Sequence, residues 1–429
     1  MVKKFLCILF AAALLCMPAL AAAAPEHPVA AKGAILYEQS TDTILLEQNA
    51  DARLYPASIT KLMSALVALE YGNTEDTVTV TAEAVDGLFE LGSASYLLAG
   101  EEISFMDLLE YMLIASGNDA ANAMAIHISG SIEAFVNLMN SRAQDLGCTN
   151  THFVNPHGLH DEEHYTSARD VLYIAKAAMA NPTIAEIVAR DEVVLPITNK
   201  HAQTTTKYTT NYLISKKSTR EYFYEGAIGI KTGTTTPAGL CLAAACVKGD
   251  YTYFSVVLGA EKGEDGERTQ FIETAKLFDY GAENFSQQVM LSSSEPIAEV
   301  PVRLSNEKDC VVVTPSENIT AMLPNAFETA DLKLDYTVEE DVVAPVKAGD
   351  VLGKLTVSYE GKSWQLDLIA SSDAARSTVL YVLDRITGFF SSTAFKIIVA
   401  SVVALIVILI VYVILVNRRR ARQRRRRRH

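Results

Sequence analysis

The sequence predicts an α+β protein in which an antiparallel sheet is covered by helices, followed by a small all-β domain and a C-terminal transmembrane helix. Three observations predict it. Strand-like stretches lie at both ends of residues 30–285 with helical periodicities between them, residues 290–370 alternate β-rich runs with turn residues, and 397–416 is one unbroken apolar run. A chain segment that is strand at both ends and helical in its middle suits a single sheet with helices packed on it. The alternation is too irregular for a doubly wound parallel sheet.

The N-terminus carries Lys3 and Lys4, an apolar stretch from Phe5 to Leu15 and the small residues Ala21 to Ala24, a signal peptide over 1–24 with cleavage near Ala24. Ala34 to Tyr37 and Thr43 to Leu46 flank the polar turn Gln39-Ser40-Thr41-Asp42, which reads as a hairpin. Leu62, Leu66 and Leu69 share one helical face, and Ile132, Phe135, Val136 and Met139 repeat at i, i+3, i+4 and i+7. After Gly229, the runs Ile230 to Thr232, Leu240 to Val247 and Tyr251 to Leu258 read as antiparallel strands, and Phe271 to Phe285 as a helix closing the domain. Residues 290–370 read as a β-sandwich-like domain of short strands broken by Asn306, Pro315, Pro324, Gly349 and Gly361. Residues 371–396 form a linker, within which Ser377 to Phe390 has an alternative reading as an amphipathic helix with Leu380, Val382, Leu383 and Ile386 on its apolar face. The 20-residue run from Ile397 to Val416 matches the roughly 30 Å of a bilayer core. The Arg-rich tail over 417–429 places that flank in the cytoplasm and the body outside.

All 51 carboxylates fall between residues 25 and 395, against 25 Lys and Arg, so the body carries a formal charge of −26. That field excludes nucleic acid as a partner. The arginines beside a membrane span orient it and attract anionic lipid. Cys148, Cys241, Cys246 and Cys310 remain after signal removal and show no metal-ligand spacing. Cys241 and Cys246, five apart on a strand, point to opposite faces.

Acyl transfer by a serine needs a base, and Ser58-Ile59-Thr60-Lys61 supplies both groups within one helical turn. A lysine acts as a base when burial or a second cation lowers its pKa, and Lys231 is the candidate second cation. Ser-x-x-Lys alone arises by chance about once or twice in a chain of this length, with Ser58 then a mere N-cap. Ser116-Gly117-Asn118 sits between two apolar runs and reads as a tight inter-helix loop; standing alone it is an ordinary turn. Lys231-Thr232-Gly233-Thr234 falls on the first strand of the late hairpin, where the bland reading is an edge lysine with a Gly bulge. His157, His160 and His164 with Asp161, Glu162 and Glu163 fit no standard zinc spacing and read as an exposed loop. Asp119 reads as a helix N-cap.

The three motifs in this order resemble the signature of penicillin-binding proteins and class A β-lactamases. Their flanks, Pro56-Ala57-Ser58-Ile59-Thr60-Lys61-Leu62-Met63, Asn155-Pro156-His157-Gly158-Leu159 and Tyr165-Thr166-Ser167-Ala168-Arg169-Asp170, are similar to the low-molecular-mass serine-type D-alanyl-D-alanine carboxypeptidases. The similarity covers residues 30–285 and extends more loosely through the β domain. It implies a penicillin-binding/β-lactamase-like fold and a hydrolase that trims terminal D-alanine from peptidoglycan stem peptides and binds β-lactams, with no cofactor and no metal. Ser58 would be the nucleophile, Lys61 its base and Ser116 the relay to the leaving amine, with Asn118 positioning the peptide and Lys61. The backbone N–H groups of Ser58 and Thr234 would form the oxyanion hole, beside Gly233. Lys231 and Thr232 would hold the terminal carboxylate. Counting back from Tyr280-Gly281, Gln270 occupies the position of an arginine common in the family, so its carboxylate-binding role passes to Arg268. D,D-endopeptidase, transpeptidase and β-lactamase activities share this acylation apparatus, and a catalytically silent wall-binding scaffold is the rival from another class.

Overall fold

The computed structural model describes residues 28–88 and 95–426. The signal peptide expected over 1–24 lies outside the described residues, as do the last three residues of the tail. The chain divides into two compact units, with the main boundary after Gln287.

The first unit is built on strands β1 (Gly33–Glu38) and β2 (Thr43–Gln48), helices α1 (Lys61–Tyr71), α2 (Phe105–Ile114), α3 (Asn118–Ser129), α4 (Ile132–Asp145) and α5 (Ala168–Ala180), strands β3 (Ala227–Thr235), β4 (Gly239–Lys248) and β5 (Tyr251–Ala260), and helix α6 (Thr269–Asn284). The five strands form one antiparallel sheet in the order β2-β1-β5-β4-β3. Its two faces are read directly from residue parity. Ile35, Tyr37, Cys241, Ala243 and Ala245 pack into the core shared with α1 to α5, whereas Ala34, Leu36, Leu242, Ala244 and Cys246 pack into a second core with Phe271, Leu277 and Phe278 of α6. Cys241 and Cys246 thus sit on opposite faces, and both remain free thiols. With both faces covered, β1 is buried at all six positions, which explains its apolar run from Ala34 to Tyr37; the buried Glu38 that ends it is satisfied by Ser40 and Thr41.

Helix α1 differs from the one-sided helix that Leu62, Leu66 and Leu69 suggested. Residues 61–68 are all buried, so α1 is the central helix of the helical layer. Serines start its neighbours: Ser104, Ser131 and Ser167 accept the amides of Asp107, Ala134 and Asp170, each at 3.1 Å.

In the second unit, six strands hydrogen-bond in one continuous order, an all-β domain as expected. Its hairpin Val351–Tyr359 and Lys362–Ala370 is the longest pairing, from Val351↔Ile369 to Tyr359↔Lys362. The segment expected as a linker contains the helix Thr378–Ser391, started by Ser377, with Leu380, Val382, Leu383 and Ile386 exposed. The following helix, Thr393–Arg426, contains a 28-residue stretch long and apolar enough to cross a membrane.

Candidate active site

Ser58 lies in a single 3-10 turn, Ala57–Thr60, that leads directly into α1. Lys61, the first residue of α1, is wholly buried beneath it. Its Nζ lies 2.9 Å from Ser58 Oγ, 2.6 Å from Asn118 Oδ1 and 2.7 Å from the carbonyl oxygen of His157. Burial, and then the charge of Lys231, hold the Lys61 pKa well below its ordinary value; Asp119 opposes them.

The Ser116 loop joins α2 to α3, as the sequence suggested. Ser116 takes a left-handed backbone, φ +65°, and a Cβ at Gly117 would meet the Tyr111 ring at 2.5 Å. Only glycine lets the loop lie flat on that ring. Ser116 Oγ accepts from Lys231 Nζ at 3.0 Å. Lys231 sits in the middle of β3, is 1% exposed, and has its pKa lowered by burial to about 7. The Thr232 hydroxyl pairs with that of Thr210 at 2.6 Å. At Gly233, a Cβ would stand 2.6 Å from Pro56 O and 3.1 Å from Ser58 N. The missing side chain is what lets β3 run against the Ala57–Thr60 turn.

These groups meet at one cleft of about 740 Å³ whose wall includes Ser58, Ser116, Asn118, Thr232, Gly233, Thr234 and Arg268. Lys61 and Lys231 lie under its floor. Arg268 is exposed, and its guanidinium stands 4.9 Å over the Tyr212 ring, another residue of the wall. Gln270 reaches the same wall but is 1% exposed.

A serine, a buried lysine whose pKa is held down and a second buried lysine at one hydroxyl-rich cleft can carry out acyl transfer to and from a carboxylate-terminated substrate. Residues 19–262 match the D-alanyl-D-alanine carboxypeptidase family, and residues 285–376 match the C-terminal domain of penicillin-binding protein 5. The chain belongs to the D-alanyl-D-alanine carboxypeptidase family. The carboxypeptidase is 32% identical over 366 residues to D-alanyl-D-alanine carboxypeptidase DacF of Bacillus subtilis, covering 83% of this chain and 89% of that one. It is 31% identical to DacC of Escherichia coli, covering 78% and 82% respectively. The crystal structure of penicillin-binding protein 5 from Haemophilus influenzae superposes with a TM-score of 0.57 at 28% identity, covering 82% of this chain and all of that chain, 100%.

Three parts of the carboxypeptidase site escaped reading from residue types. The loop around His157 to His164 is not simply exposed. Residues 160–163 are, but His157 and His164 are 8% and 2% exposed, and both are held neutral by burial, with pKa values lowered to about 3 and about 4. It is the His157 main chain, invisible to any side-chain motif, that meets Lys61. Asn155 shapes that loop, its Oδ1 accepting from Gly158 N at 2.6 Å and its Nδ2 donating to Leu159 O at 2.9 Å. Asp119 is not an N-cap: Gly117 holds that position, and the buried Asp119 carboxylate instead accepts the amides of Tyr96, Leu97 and Ala120 at 2.5, 2.8 and 2.9 Å. Thr210 and Tyr212 join the wall from a segment without a recognisable motif.

Proposed function

We propose that Ser58 attacks the carbonyl carbon between the last two D-alanines of a peptidoglycan stem peptide, forming the acyl-enzyme of this serine-type D-alanyl-D-alanine carboxypeptidase. The observation that carries this is the bonding around Lys61. Two of its three neighbours, Asn118 Oδ1 and the His157 carbonyl, only accept hydrogen bonds. A neutral amine keeps two N–H groups for these acceptors, which leaves its lone pair for the Ser58 hydroxyl 2.9 Å away, the contact that an ammonium fills by donating. Lys61 is then the base that takes the hydroxyl proton as the Ser58 oxygen bonds to carbon.

The oxyanion that develops is met by the N–H groups of Ser58 and Thr234, brought together by the close approach at Gly233. Ser116 Oγ passes a proton to the nitrogen of the departing D-alanine as the C–N bond breaks, and is reprotonated through its lysine neighbours. Charged Lys231, the Thr232 hydroxyl and Arg268 hold the terminal carboxylate. Water, deprotonated by Lys61, then adds to the ester and frees the shortened peptide. A β-lactam acylates Ser58 in the same way, its ring amide standing in for the scissile bond.

The apolar stretch Thr393–Arg420 supports a single-pass anchor in the cell membrane. The arginines after it support a cytoplasmic tail and a catalytic body outside.

The test uses the full chain in detergent with a pentapeptide ending in D-Ala-D-Ala. Wild type should release free D-alanine and take up labelled penicillin covalently, and Ser58→Ala should do neither. Release that persists in Ser58→Ala refutes the mechanism; a wild type that neither releases nor labels is a binding scaffold.

A further inference from the structure

The peptide unit just before the nucleophile is held from behind by a chain of side-chain hydrogen bonds that the proposed chemistry does not use. Ala57 has φ +47°, a left-handed conformation that a side-chain-bearing residue does not adopt unaided. Its carbonyl oxygen accepts the Thr60 hydroxyl at 2.8 Å. Thr60 Oγ1, on a residue 2% exposed, lies 2.8 Å from His164 Nε2. His164 Nδ1 accepts the Val154 amide at 3.1 Å. The directions of these bonds are all fixed from one end. A backbone N–H only donates, so Nδ1 is the bare nitrogen, Nε2 carries the proton and donates to Thr60, and the Thr60 hydrogen is left for Ala57.

The carbonyl of Ala57 and the N–H of Ser58 are the two ends of one planar amide. A donor fixed on the oxygen therefore fixes the direction of the N–H, and it polarises that N–H toward stronger donation. Gly158 closes the same oxygen on another side: a Cβ there would be 1.9 Å from Ala57 O.

We propose that His164 and Thr60 are positioning residues that aim and polarise the Ser58 N–H of the oxyanion hole. The inference rests on the assignment of that N–H to the hole. Neither residue touches substrate. They act on transition-state charge, so their loss lowers the acylation rate and leaves ground-state binding alone.

The experiment measures, on the full chain in detergent, the acylation rate constant and the preceding binding constant with an ester substrate and with its thionoester, whose sulfur the hole serves poorly. Circular dichroism and the unfolding midpoint establish that each variant is folded. Thr60→Val and His164→Phe, both close in shape to the originals, should acylate with the ester about 10 to 100 times more slowly at unchanged binding, less than the loss of a whole oxyanion donor. They should lose much less with the thionoester. Thr60→Ser, which keeps the hydroxyl, and His164→Gln, which keeps a donor at the Nε2 position, should recover most of the rate. Folded Thr60→Val and His164→Phe that acylate at the wild-type rate, or lose equally on both substrates, overturn the inference. So does failure of Thr60→Ser and His164→Gln to recover. If wild type itself does not distinguish ester from thionoester, the oxyanion-hole assignment fails first and takes the inference with it.

Discussion

Lys61 and Lys231 are two cations that burial has made reluctant to be charged, yet the chemistry asks opposite things of them. In the proposed mechanism Lys61 must be neutral to take the Ser58 proton, and Lys231 must be charged to hold a carboxylate. Burial brings Lys231 to about 7, and burial together with the Lys231 charge holds Lys61 well below its ordinary value; the proposed chemistry asks that a single proton on the pair reside on Lys231. The sign of the pH dependence follows. kcat/KM rises as Lys61 loses its proton and falls as pH passes the Lys231 value of about 7. An arginine stays protonated throughout, so Lys231→Arg should remove the alkaline limb while lowering the plateau. The check is the pH profile of D-alanine release from both proteins; an alkaline limb unmoved in Lys231→Arg assigns it to another group.

At the level of elements, the site depends on Gly158 and Gly233, which let backbone meet backbone. Gly158 combines φ +88° with a Cβ position inside the Ala57 carbonyl, whereas Gly249, in the turn between β4 and β5, has φ +63° and open space around it. Both pay the left-handed penalty of about 1 to 2 kcal/mol on substitution by alanine, but only Gly158 adds a collision. Gly158→Ala should destabilise the catalytic unit by about 3 kcal/mol or more and disable acylation, while Gly249→Ala should cost about 1 kcal/mol and leave acylation intact. Urea unfolding midpoints of the two variants decide it, and equal losses would show that the approach at Gly158 is slack. The strands that bear Lys231 to Thr234 were legible because their apolar and turn residues alternate cleanly. The all-round burial of α1 was not, because Lys61 and Ser64 are polar residues whose partners, His157 O and Pro156 O, lie on a distant loop.

Across the whole molecule, the proposed cytoplasmic placement of the arginine tail makes a prediction of its own. A cysteine introduced as Arg420→Cys should stay unlabelled by an impermeant maleimide on intact cells and react after lysis; labelling of intact cells reverses the orientation. Legible in the letters were an antiparallel sheet covered by helices, the apolar span, and Ser58, Lys61, Ser116, Asn118 and Lys231 as candidates, because periodicity and motif spacing are local properties of the chain. The sequence also carried the family resemblance. What the fold alone supplies is the His157 carbonyl against Lys61, the reason Asp119 holds a loop and caps no helix, and the place of His164 behind the Ala57–Thr60 turn. Those facts are contacts between segments about 20 to 100 residues apart, made largely by main-chain atoms or buried polar side chains. A main-chain oxygen has the same identity in every residue, so its use is written in the fold and not in the letters.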